Sequence, residues 1–257
     1  VKPLRLYWSS SKPNFGDALS PLICARVSGR QIVHAEVGRC DLVALGSLLQ
    51  RVKEHFWTRR ITVWGTGFIE PVPPHRSRHR YCAVRGKLTA SIVRAGDGVA
   101  LGDPGLLASM LVDDEAGREA TKRYRCLVIP HYKDRAHPAL GELLRQRPDV
   151  EVADVFEPAL DLLRKIRAAD VVLSSAMHGL IAADSLGVPN AWLKLSDNVR
   201  GGDFKFRDYY SVFGIAPAPL VPGAELSRSL EQVRETYARP GLEQIKAALL
   251  DSFPRDL

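Results

Sequence analysis

An α/β protein of two Rossmann-like lobes, each built on a parallel sheet and facing the other across a cleft, is what this sequence of 257 residues predicts. Short apolar runs alternate with helical stretches, the pattern of strands covered on both faces. The alternation breaks once, at the charged and aperiodic "VDDEAGREATKRYR", and then restarts. The length suits one large domain or two ordinary ones. The expected division is residues 1–118 for a first lobe, 119–236 for a second, and 237–257 for a C-terminal helix packing back on the first.

The first lobe opens with the strand "LRLYW", a polar Gly-containing loop "SSSKPNFGDALS" and a helix around "LSPLICARVSG". Apolar strands follow at "QIVHA", "DLVALGS", "ITVWGTG", "RYCAVRG" and "GVALGDP", with a helix at "KLTASIVRAG". The second lobe repeats the scheme: strand "CLVIPHYKD", helix "ALGELLRQRP", strand "VEVADVF", helix "PALDLLRKIRAA", strand "DVVLSS", a helix, then "PNAWLKL". "GLEQIKAALLDSF" closes the chain as an amphipathic helix.

With 46% hydrophobic residues the chain can bury a full core. No run approaches the roughly 18 apolar residues of a membrane span, and "VKPLRLYW" lacks a signal peptide's apolar stretch. A soluble, cytoplasmic protein is expected. Cys24, Cys40, Cys82 and Cys126 lie far apart without a CxxC pair, so neither a zinc site nor a disulfide framework is signalled. The formal net charge is +7, and the excess is local: ten Lys/Arg stand against two acids between Arg51 and Arg94. A basic face suits an anionic membrane surface, nucleic acid or acidic substrates. Nucleic acid is not expected, because no zinc finger, RRM signature or basic zipper is present.

Several motifs sit where α/β folds hold ligands, at strand ends. "SSAMHGLIAADSLGVP" turns from a strand into a helix, with Ser174 or Ser175 as the expected cap and His178 in the first turn, where an anion is favoured. "NFGD" places Asn14 and Asp17 after the first strand, able to bind sugar hydroxyls, with Asp17 a candidate base or merely a helix cap. "VWGTGF" offers Gly65 and Thr66 at a strand end, where a missing side chain lets a backbone or ligand come close. "AVRG" sets Arg85 at the next strand end as a clamp for phosphate or carboxylate. Asp103 in "LGDPGLL" reads as a helix cap or a site residue. His131 and Tyr132 of "IPHY" project toward the same edge as His178. "FKFRDYY" carries Lys205 either on a docking segment or on a lid that meets an anion. Neither GxGxxG nor GxxxxGK[ST] occurs, so no dinucleotide or P-loop site is indicated.

Taken in order, "NFGDALS", "VWGTG", "AVRG", "GDP", "IPHY", "SSAMHGLIAADSLGVP" and "KFRDYYSVFG" resemble the polysaccharide pyruvyltransferases, in particular those forming pyruvate ketals on exopolysaccharides of the xanthan and succinoglycan kind. The resemblance implies a GT-B-like arrangement. It further implies transfer of a pyruvyl group from phosphoenolpyruvate to a hexose, commonly as a 4,6-ketal, with release of phosphate and no cofactor or metal. His178 matches the family's histidine and Lys205 its downstream lysine. Many members carry an arginine two residues before the histidine, where this chain has Ala176. The implied partners are phosphoenolpyruvate, a lipid-linked oligosaccharide acceptor and an anionic membrane surface at the inner face. The competing readings are a glycosyltransferase using a nucleotide sugar, and a non-catalytic saccharide-binding protein of the same fold.

Overall fold

The computed structural model describes residues 2–10, 14–112, 121–222 and 226–257. The expected lobe boundary at 118/119 lies outside the described residues. Six strands form the first sheet: β1 (Leu4–Tyr7), β2 (Ile32–His34), β3 (Leu42–Ala44), β4 (Thr62–Trp64), β5 (Arg80–Val84) and β6 (Ala100–Leu101). They run in the order β2-β1-β3-β4-β5-β6, and every pair is parallel. β3 and β4 are buried along their whole length, as unbroken apolar runs must be where both faces are covered.

The second sheet has four parallel strands, β7 (Tyr124–Ile129), β8 (Val150–Val152), β9 (Ala169–Ser174) and β10 (Asn190–Trp192), in the order β10-β9-β7-β8. The two sheets share one topological feature. In each, the opening strand is flanked by the next two strands on opposite sides, β1 by β2 and β3, β7 by β8 and β9. Such a reversal opens a crevice at the carboxyl ends of the strands, where open α/β sheets bind ligands.

Helix α1 (Phe15–Ser28) begins four residues before the expected "LSPLICARVSG". The reason is local: Asn14 caps it, its side-chain oxygen accepting the Asp17 N–H at 2.9 Å, and its amide donates to the Asp17 carboxylate. Gly29 ends the helix in the left-handed conformation at φ +67°. α2 (Lys87–Val93) follows β5, and Pro104–Leu111 forms a 3₁₀ helix, started by Pro104 and capped by Asp103. The second lobe carries α3 (Pro138–Gln146), α4 (Ala159–Arg167), α5 (Met177–Ser185), α6 (Phe204–Tyr210) and α7 (Leu226–Thr236); α8 (Leu242–Asp251) lies near the C-terminus.

One hydrophobic core runs through both lobes, joining Leu6 and Leu106 of the first to Ile129 and Leu180 of the second. Its centre is α5, of which every residue except His178 is buried. Gly105 lets Ile181 approach so closely that a Cβ there would lie 2.8 Å from it, and Ser185 exchanges hydrogen bonds with Ser109 N–H at 2.8 Å and the Leu106 carbonyl at 2.7 Å. Two further elements cross between the lobes. α8 packs on the first sheet, where Trp64 donates to the Leu249 carbonyl at 3.0 Å and meets Phe253 edge to face. α6 stacks Phe206 on Trp192 at 4.2 Å and sends Asp208 into the first lobe.

Candidate active site

A cleft of about 310 Å³ lies where the two strand-order reversals face each other. Ser9, Asn14 and Asp17 line it from the end of β1 and the start of α1, and Gly46, Ser47 and Leu48 from the end of β3. Pro130, His131 and Lys133 come from the end of β7, and Ala176 to His178 from the end of β9. Lys205 of α6 completes the wall.

His178 occupies a slot shaped by two glycines. A Cβ on Gly16 would lie 2.0 Å from its Nδ1, and one on Gly46 would lie 3.3 Å from its Cε1. On the far side, Asp103 presents Oδ2 at 3.8 Å from His178 Nε2. That carboxylate is fully buried and held by the N–H groups of Gly46 (3.0 Å) and Gly105 (2.9 Å). Nε2 itself is buried without a hydrogen-bond partner among the described residues. The imidazole is thus fixed in place with an anion behind it and a ring nitrogen unused.

Asp17 stands in the first turn of α1 beside the same space. Burial raises its pKa above the usual carboxylate value, while the Asn14 amide, His178 and Arg51 pull the other way. Across the cleft, Lys205 is almost entirely buried, and burial, with help from Arg85 and Lys133, lowers its pKa to about 8. Its ammonium has no hydrogen-bond acceptor among the described residues. The other cations on the wall are engaged: Arg51 with the Tyr7 hydroxyl at 2.7 Å, Lys133 with the Asn198 carbonyl at 3.0 Å, and Arg200 with Glu70 at 2.7 Å. His131 is pushed down to about 4 by burial and by Lys205, so it is neutral at physiological pH. Its Nδ1 accepts the Lys133 N–H at 3.3 Å, which leaves the proton on Nε2.

His178, Asp17, Asn14, His131 and Lys205 therefore converge as the motifs indicated. Tyr132 lines the cleft beside them, whereas Arg85, Gly65, Thr66, Ser174 and Ser175 do not. Arg85 is fully buried and cannot clamp a ligand: its guanidinium binds Asp208 at 2.9 Å, the Gly46 and Phe68 carbonyls and the Ser47 hydroxyl. Gly65, at φ +80°, makes room for Pro104, and the buried Thr66 bridges Leu48 N–H and the Gly46 carbonyl, both at 3.0 Å. Neither serine caps α5. Ala176 holds the cap position, Ser174 bonds the Ile129 carbonyl at 2.8 Å, and Ser175 links His131 N–H to Asp134. Arg51, Lys133, Gly16 and Gly46 were not singled out from the sequence. Gly46 follows β3 and Gly16 lies inside "NFGD", which was the available signal; nothing marks the two cations apart from their neighbours.

Cys24, Cys40, Cys82 and Cys126 are unpaired, and among the described residues no cluster of histidine, cysteine and carboxylate side chains could hold a metal. No described helix is long and apolar enough to cross a membrane.

Two parallel sheets that meet at their strand-order reversals, around a fixed histidine, a raised carboxylate and an ammonium without an acceptor, define an α/β protein with a site suited to an anion. The chain belongs to the polysaccharide pyruvyl transferase family, whose model matches residues 10–197. Among curated proteins, the succinoglycan biosynthesis protein ExoV of Rhizobium meliloti is 28% identical over 217 residues, covering 83% of this chain and 66% of its own. An uncharacterized protein of Acanthamoeba polyphaga mimivirus is 34% identical over 165 residues, covering 61% and 56%. The chain thus spans less than two thirds of the length of either relative. A solved structure of a functionally uncharacterized Klebsiella pneumoniae protein overlays 86% of this chain and 93% of its own with a TM-score of 0.42 at 11% identity, too distant to bear on fold or function.

Proposed function

We propose that this protein transfers the pyruvyl group of phosphoenolpyruvate to two hydroxyls of a hexose in an exopolysaccharide repeat unit, forming a ketal, commonly 4,6-linked, and releasing phosphate. The observation that carries this reading is Lys205: a buried lysine on the cleft wall whose ammonium lies over the Phe206 ring at 5.4 Å and has no hydrogen-bond acceptor or carboxylate partner among the described residues would be completed by an anionic donor. Arg51 and Lys133 on the same wall would meet the donor's second anionic group. Phosphoenolpyruvate carries its own leaving group, so no step demands a cofactor.

In the first step the donor C3 takes a proton from His178 as a hexose oxygen bonds to C2, and Asp17 accepts that hydroxyl's proton. The C2–O bond to phosphate then breaks, the second hydroxyl oxygen bonds to C2, and its proton returns to His178. The proton on Asp17 leaves with phosphate, restoring both groups. Histidine suits a proton transfer near neutral pH, and a positioned acid or base is worth about 10² to 10⁴-fold in rate. His178→Gln is expected to lose turnover by that factor while keeping the fold. The reaction is tested by incubating the protein with phosphoenolpyruvate and lipid-linked or synthetic glycosides, then reading phosphate release and the pyruvyl addition by mass. Transfer from a nucleotide sugar in place of phosphoenolpyruvate would replace this reading.

The acceptor in this proposal is lipid-linked, and the first lobe suits an anionic membrane surface. Phe56 is 83% and Trp57 69% exposed, side by side in a loop beside Lys53, Arg59 and Arg60. The loop is pinned by hydrogen bonds, Thr58 Oγ1 to the His55 carbonyl at 2.7 Å and His79 Nε2 with the Lys53 carbonyl at 3.1 Å, so the rings are held outward. Aromatic rings amid cations are the side chains that anchor at a bilayer interface.

A further inference from the structure

We propose that a pocket beside the cleft, framed by Trp8, Phe156 and Glu157, is the subsite for the acceptor hexose; this rests on the pyruvyl-transfer reading above. The pocket encloses about 170 Å³ and shares Ser9, Asn14 and Asp17 with the cationic cleft. Its chemistry is otherwise the opposite. Lysine and arginine, which crowd the cleft, are absent from its described lining, and in their place stand two aromatic rings and a second carboxylate.

That combination suits a neutral polyhydroxyl ring, with cations only behind the frame, Arg135 over the Phe156 ring at 5.1 Å and Lys165 on Glu157. The C–H face of a pyranose packs on an aromatic surface, and ionised carboxylates are pure acceptors for its hydroxyls. Glu157 shows the unmet demand. Its Oε2 binds Lys165 at 2.8 Å, while Oε1 is buried with no hydrogen-bond partner among the described residues. Buried acceptors normally find a donor, and a sugar hydroxyl would supply it.

The frame is set before any ligand arrives. Phe156 N–H binds the Asp154 carboxylate at 3.0 Å and Glu157 N–H the Asp154 carbonyl at 3.1 Å. Trp8 meets His34 edge to face at 4.6 Å, and its carbonyl contacts His34 Nε2 at 3.1 Å. A hexose seated here has Asp17 at its border with the cleft, so the hydroxyls nearest that border are the ones from which Asp17 can take a proton. Donor and acceptor would enter separate compartments that meet at one base.

The test is saturation-transfer NMR on the full chain with methyl glycosides of glucose, galactose and mannose and with cellobiose, paired with thermal unfolding in the presence of phosphoenolpyruvate. At least one glycoside is expected to bind the wild type. Its affinity is expected to fall at least tenfold in Trp8→Ala and in Glu157→Gln and to be retained in Trp8→Phe, while phosphoenolpyruvate stabilises all of them equally. Stabilisation by phosphoenolpyruvate with no glycoside bound, or with glycoside binding unchanged in Trp8→Ala and Glu157→Gln, would overturn the subsite and leave the donor reading standing. No response to phosphoenolpyruvate in any variant would overturn both.

Discussion

At position 176 many family members are expected to carry a cation, and this chain has the methyl group of Ala176. The structure supplies charge from elsewhere: Lys205 directly, Arg51 and Lys133 alongside it. Arg85 contributes only potential, helping to depress the Lys205 pKa from within the fold. Two consequences follow at this scale. Arg85→Ala leaves Asp208 buried and uncompensated, and breaking such a pair costs about 3–5 kcal/mol. The expected result is a large drop in unfolding midpoint, read by thermal or urea denaturation, in place of a selective loss of donor affinity. The second concerns pH. Lys205 loses its charge as pH rises through about 8, so kcat/KM for phosphoenolpyruvate is expected to fall above that pH. Asp17 must be ionised to act as a base, and its raised pKa places the acid limb above the ordinary carboxylate range. A Lys205→Arg enzyme should hold its activity to higher pH, checked by the same profile.

Among the elements, the start of α1 does more than the sequence pattern disclosed. Asn14 caps it, Asp17 faces the cleft, and Gly16 between them opens the slot for His178. Gly16→Ala would set a methyl group 2.0 Å from His178 Nδ1, so the ring must move. Loss of turnover with little change in unfolding midpoint is expected, checked by activity and denaturation on one preparation. The same segment shows where legibility ended. "NFGD" was recognisable as a site, yet the periodicity placed the helix later, because Asn14 and Asp17 hold the first turn through polar contacts that hydrophobic spacing cannot register. Arg85 failed for a related reason. A strand-end arginine reads the same whether it faces a ligand or a buried aspartate, and Asp208 lies 123 residues away. The strands themselves were legible throughout, since each is a compact apolar run between turns.

For the whole molecule, the two sheets repeat one strand order, and their reversal points form the two walls of a single cleft. His178 stands out within this plan as the half-buried exception on an otherwise buried helix, whose other side chains join the lobes into one core. The first lobe carries the basic surface, with Phe56 and Trp57 exposed on it. Replacing Phe56 and Trp57 together with serine is expected to reduce co-sedimentation with vesicles containing phosphatidylglycerol several-fold. Soluble-substrate turnover should be untouched, because neither ring lines the cleft. Equal binding to neutral and anionic vesicles by the wild type would remove the membrane surface from the account.

In the proposed reaction the cleft binds its anionic pyruvyl donor through Lys205. Calorimetric titration of phosphoenolpyruvate into the wild type and Lys205→Gln at pH 7, with UDP-glucose titrated in parallel, tests it most directly. Phosphoenolpyruvate is expected to bind the wild type in preference to UDP-glucose, and at least tenfold more weakly to the variant. Equal affinity for the two proteins, or a preference for UDP-glucose, would contradict it.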